Sequence, residues 1–172
     1  MRTTFVTDPP QAVEDWLERR RALGQDRFDE VWEGEYHVAP APSDQHADVD
    51  HQVIVVLAPY ARRAGLRGLT ACNVGTPDDF RVPDQAYVRD RQPSMWHASA
   101  AIVVEILSPG DETRRKLGFY HRAGVEEMLL VDPHARTVEW LVRGPGAFEP
   151  AGRSPILGVS DDDLTAAIDW PG

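Results

Sequence analysis

Ala98-Ser99-Ala100-Ala101-Ile102-Val103-Val104-Glu105-Ile106-Leu107-Ser108-Pro109-Gly110 sets the frame for the whole chain. From Ala98 to Leu107 the run is continuous, apolar and β-branched, the pattern of a central strand covered on both faces. Ser108-Pro109-Gly110 stops it. One acid interrupts the run, Glu105, and a lone carboxylate at a buried position is costly unless it is paired.

Downstream, Asp111 to Ala123 reads as a helix with Gly124 at its end. Met128 to Val131 is a second buried strand closed by Asp132-Pro133, and Thr137 to Val142 is a further strand. Asp161 to Ile168 is a short helix with three acids in its first turn, which suits the helix dipole. Upstream, Gln85 to Val88 and Leu69 to Val74 read as strands. Ser43 to about Ala64 is the longest helical pattern, with Pro59 predicting a kink or an early end near Ala58. Phe28 to Ala39 alternates around Glu33-Gly34 as a short hairpin. Asp8, followed by Pro9 and Pro10, caps a first helix that ends at Gly24.

The core order is αβββαβ, an α/β (α+β) arrangement with a mixed β-sheet flanked by helices. Its last strand crosses over a helix and returns parallel to its neighbour. The 172 residues suit a single domain over 1–172, with no internal repeat and no linker.

Apolar residues at 42% and charged residues at 27% are ordinary for a globular chain. A single cysteine, Cys72, excludes an intramolecular disulfide and a cysteine-based zinc site, which favours a reducing compartment. The N-terminal residues form no signal peptide, and no apolar stretch is long enough to cross a bilayer, so a cytoplasmic, membrane-free protein is expected. The net charge of −10 argues against tight non-specific binding to nucleic acid through a basic face. All but one of the 18 basic residues are arginine. The exception is Lys116: either coding bias left one lysine by chance, or a compact point charge is needed there.

Asp84 follows Pro83 at the start of one strand, and Glu105 lies near the end of the next. Antiparallel pairing of Val88 with Ala101 sets Asp84 opposite Glu105, with Cβ atoms about 4.5–5.5 Å apart. Carboxylates that close repel, and need a shared proton or a cation. A hard divalent ion with oxygen ligands answers this, and Mg²⁺ takes one or two carboxylates plus water. Lys116, on the following helix, has a stem long enough to reach back. Two carboxylates, a metal and a lysine form a coherent set for phosphodiester hydrolysis. Each member also has a plain structural reading, Asp84 as a strand-start residue and Lys116 as a solvated helix residue.

Arg81-Val82-Pro83-Asp84, then Val103-Val104-Glu105-Ile106-Leu107-Ser108-Pro109, then Lys116, Tyr120 and Gly124-Val125-Glu126-Glu127, ending Leu130-Val131-Asp132-Pro133, resembles the Uma ("Uma two") family of endonuclease-like proteins, within the PD-(D/E)xK, restriction-endonuclease-like superfamily. Glu33-Gly34-Glu35 and His46 match upstream. The resemblance covers roughly residues 28–140, leaving a strand and helix extension over 137–172. It implies a restriction-endonuclease-like core and a Mg²⁺ (or Mn²⁺) ion held by Asp84, Glu105 and the Ile106 carbonyl, with Lys116 as the catalytic lysine. The superfamily pattern places a lysine two residues after the acid, where this chain has Leu107; here the lysine moves to the next helix.

Glu35 and His46 are accessory candidates as an extra ligand or a substrate contact, although a histidine early in a helix is often a cap or surface residue. Tyr120, one turn past Lys116, either orients the lysine or packs in the core. The expected activity is Mg²⁺-dependent endonucleolytic cleavage of DNA, duplex in form, with a homodimer as the candidate assembly because cutting a duplex needs two sites. The rival expectation is a non-catalytic module binding nucleic acid or protein on the same fold.

Overall fold

The computed structural model describes residues 3–5, 9–110 and 112–171, with the backbone alone for 3–5. The expected cap at Asp8 and helix start at Asp111 lie outside the described residues. Twelve strands and four helices follow in order: β1 Thr3–Phe5, α1 Gln11–Ala22, β2 Glu30–Trp32, β3 Glu35–Val38, α2 Asp44–Arg63, β4 Arg67–Thr70, β5 Asn73–Thr76, β6 Asp79–Arg81, β7 Gln85–Val88, β8 Trp96–His97, β9 Ile102–Ile106, α3 Thr113–Arg122, β10 Glu127–Asp132, β11 Thr137–Arg143, β12 Phe148–Pro150 and α4 Asp161–Ala167.

The main sheet has the order β12-β11-β10-β9-β7-β4. All five residues of β9 are buried, because the strand is covered on both faces. Ile102, Val104 and Ile106 meet Val49, Val53 and Leu57 of α2 on one side. Val103 meets Phe119 and Tyr120 of α3, with Met128 of β10, on the other. The crossover through α3 makes β9 and β10 parallel, as expected of a strand–helix–strand unit. β7 runs antiparallel to β9, with Tyr87 opposite Ile102 and Gln85 opposite Val104. That is the register expected from pairing Val88 with Ala101; the paired residues end at Gln85, just after Asp84.

Two expectations are corrected. Helix α2 does not end near Ala58 but runs through Pro59 to Arg63. Val49, Val53, Leu57 and Ala61, spaced one turn apart, are all buried against the sheet and hold the helix together past the proline, which faces solvent. The strand expected over Leu69 to Val74 is two strands in different sheets. Ala71, at φ 50°, turns the chain between them. β5 thereby joins a second sheet, β1-β3-β2-β6-β5-β8, which the sequence reading reached only at its β2–β3 hairpin. Among the described residues, no helix is long and apolar enough to cross a membrane.

Candidate active site

Glu105 projects from β9 into the space under α3 and is 3% exposed. Thr113, Lys116, Phe119 and Tyr120 form the buried face of α3. The four-residue spacing of Lys116 and Tyr120 puts both over the acid. The Lys116 Nζ lies 3.2 and 3.4 Å from the two Glu105 oxygens, and the Tyr120 hydroxyl donates to Oε1 at 2.7 Å. Lys116 is 2% exposed, so the solvated reading of this residue is overturned.

A third carboxylate completes this cluster. Glu30, on β2, is fully buried and accepts from Lys116 at 2.8 Å. The Val82 N–H donates to the same oxygen at 3.0 Å, and the Trp32 indole donates to the other at 2.6 Å. Sequence reading missed Glu30. The available signal was the strand's alternation, which puts Glu30 on the same inward face as Trp32.

Asp84 takes its partners from elsewhere. Its Oδ2 accepts the Ile106 N–H at 2.7 Å, and its Oδ1 accepts from His46 Nε2 at 2.9 Å. Because a carboxylate only accepts, the His46 proton sits on Nε2, and Nδ1 faces the Ser108 hydroxyl at 3.3 Å. His46 is oriented by α2, where its N–H donates to the capping Ser43 hydroxyl. One turn on, Asp50 accepts from Gln85 Nε2 at 2.7 Å, a second contact that sequence reading did not find.

Charge accumulates here. Burial pushes the Glu105 carboxyl up to about 7; Lys116 opposes this, Asp84 and Glu30 add to it, and the Tyr120 hydrogen bond opposes it again. Burial disfavours a charged His46, but the hydrogen bond and charge of Asp84, with Asp50 and Glu105 beyond, outweigh it and raise its pKa. Burial, then the charges of Glu105 and Glu30, hold the Tyr120 phenol well above its ordinary value, so it stays a neutral donor.

Among the described residues, no group of three or more His, Cys, Asp and Glu is placed to hold a metal ion. A closed zinc-type site is therefore not built from them. The two acids hold protein donors, Lys116 and Tyr120 on Glu105, His46 and the Ile106 N–H on Asp84. Glu35 stands apart on an exposed lip, 3.9 Å from His37. Arg114 and Arg115, beside Lys116 in sequence, point outward to Glu139 and Glu112.

A cavity of about 480 Å³ opens past the carboxyl ends of β9 and β10, where Leu107, Ser108, His134 and Arg136 line it together with His46. Ligands of open α/β sheets commonly bind outside the carboxyl ends of strands. No carboxylate is among the described residues that line it.

This mixed sheet flanked by helices is the restriction-endonuclease-like fold. Residues 13–159 match the Uma2 family, described as "Putative restriction endonuclease", and the chain belongs to that family. It is similar to a crystal structure from Anabaena variabilis, described as a putative nuclease belonging to DUF820. The TM-score is 0.64 at 19% sequence identity, over 81% of this chain and 90% of that one. A comparison with curated proteins finds no match.

Proposed function

We propose that this protein is a Mg²⁺-dependent (or Mn²⁺-dependent) endonuclease that hydrolyses phosphodiester bonds in DNA. The observation that carries the reading is the buried bridge of Lys116 between Glu105 and Glu30, with Asp84 close enough to act on the charge of Glu105. A lysine sealed among acids on a helix fits the PD-(D/E)xK set with the lysine moved off the strand. Family membership supports DNA as the substrate class.

In this reading Asp84, Glu105 and the Ile106 carbonyl would hold the ion, and a bound ion would supply charge to polarise the scissile phosphate and to acidify a water. Lys116 keeps its ammonium beside Glu105 and offsets the charge that builds on the phosphorus oxygens. Tyr120 fixes one Glu105 oxygen, and His46 fixes one Asp84 oxygen at the mouth of the cavity. Arg136 and His134 line the same cavity as His46 and would meet the flanking phosphates there. Cutting both strands of a duplex asks for two such sites, which a homodimer supplies.

The test is plasmid cleavage with Mg²⁺ or Mn²⁺ by the wild type, Glu105→Gln and Lys116→Met. Cleavage by the wild type alone supports the assignment; equal cleavage by all three sinks it. One observation favours a non-catalytic binding module instead: both acids already have protein partners. Calorimetry with Mg²⁺ separates the two, since the module reading needs no ion at Asp84 and Glu105.

A further inference from the structure

A separate cavity of about 330 Å³ lies between α2 and β4, the edge strand of the main sheet. Small residues create it. Ala58 and Ala61 on the helix and Gly68 on the strand leave room that larger side chains would close, and Tyr87 forms an apolar wall. A Cβ at Gly68 would meet the Tyr87 ring at 3.1 Å, so strand and ring already touch there.

The ionic residues on its wall are Arg62, Arg67 and Arg91, and no carboxylate is among the described residues that line it. That is unexpected by chance in a chain with 28 acids and 18 bases. Arg67 donates to the Arg91 and Gln92 carbonyls at 3.4 and 3.1 Å, while its Nε–H is buried with no acceptor. The Arg62 guanidinium has no hydrogen bond or ion pair among the described residues. The Arg67 Nε is shut off from the cavity, so Arg62 is the lining arginine whose guanidinium is left open to a ligand.

We propose that this cavity binds a small organic anion, a flat apolar body against Tyr87 with a phosphate, sulfonate or carboxylate head toward Arg62 and Arg67. Its volume falls at the small end of ligand pockets, about 300–1,000 Å³, which are mostly apolar with a few convergent polar groups. Arginine suits the head group because its fork pairs with such anions bidentately. The arginines ring an apolar recess instead of following a stripe, which distinguishes the site from a phosphate-backbone track.

The probe is 1-naphthyl phosphate, titrated calorimetrically into the full chain. Saturable binding at one site per chain is expected. Arg62→Gln, an exposed helix position, should weaken it about tenfold, and 1-naphthol, which lacks the anion, should lose at least as much. Ala58→Phe fills the recess and should abolish binding with the melting transition retained; if that variant fails to fold, Arg62→Gln and 1-naphthol still decide. Binding that persists in Glu105→Gln separates this site from the proposed nuclease centre. No saturable binding, or affinity unchanged in Arg62→Gln, overturns the proposal. So does a short DNA duplex binding through Arg62 where 1-naphthyl phosphate does not, which would assign these arginines to a nucleic-acid backbone.

Discussion

Lys116 sits closer to Glu30 than to Glu105, 2.8 Å against 3.2 Å, although Glu30 is 86 residues away in the chain. The second sheet therefore reaches into the main sheet's site and holds its ammonium from beyond. Both carboxylates and the ammonium are buried, so each depends on the others for compensation.

Breaking this trio should be costly. Lys116→Met leaves two buried acids facing each other, and Glu30→Ala strips the lysine of its shorter contact. Each is expected to lower stability by about 3–5 kcal/mol in urea unfolding. The double variant Glu30→Ala with Lys116→Met should cost less than the sum of the two single losses, because the charges leave together. Additive losses would show that the pair does not couple.

The Glu105 carboxyl is raised in the folded protein, to about 7. A carboxyl raised above its unfolded value contributes its stability in full below that value. The contribution is lost as pH rises through the folded pKa. A metal ligand must be ionised. The melting-temperature gain from saturating Mg²⁺ should therefore be small near pH 5.5 and larger above pH 7, with the gradient lost in Glu105→Gln. A gain independent of pH in the wild type would place the ion elsewhere.

His46 is also raised, by Asp84 against its own burial. Its contribution is complete below its unfolded pKa and fades as pH rises through the folded one. The stability gap between wild type and His46→Gln should be wider at pH 5.5 than at pH 8.5 by chemical unfolding. A gap that widens with pH would mean that His46 stays neutral beside Asp84.

Tyr120→Phe removes one hydroxyl and keeps the ring packed on Phe119. Loss of a single buried hydrogen bond predicts about 1–2 kcal/mol of destabilisation. Because that hydrogen bond favours the ionised Glu105, the Mg²⁺ effect should also move to higher pH. Unchanged pH dependence would show that the hydroxyl does not bear on the acid.

The main sheet was readable because β9 is buried on both faces and has the unbroken apolar composition that such burial demands. Its β7–β9 register followed from one pairing, Val88 with Ala101. The second sheet was largely hidden. β6 and β8 have three and two residues, too few for alternation to show. Glu30 and Glu35 lie in the same hairpin and read alike as acids among apolar neighbours. Alternation places Glu30 on the face of Trp32, but the groups that bury and pair it, Val82 and Lys116, lie 52 and 86 residues away in the chain. Lys116 was legible as a candidate because its residue type is solitary, whereas the acid that holds it is one of many.

When acid and lysine share a strand, the covalent backbone fixes how far apart they stand. Here that separation depends on how α3 beds onto the sheet, through Phe119 and Tyr120 against Val103 and Met128. A volume change in those apolar side chains could slide the helix by a fraction of a turn and detune the pair with every polar group intact. In this chain the alignment of acid and ammonium is adjusted by the fit of greasy surfaces, and drift in the core can silence or restore it.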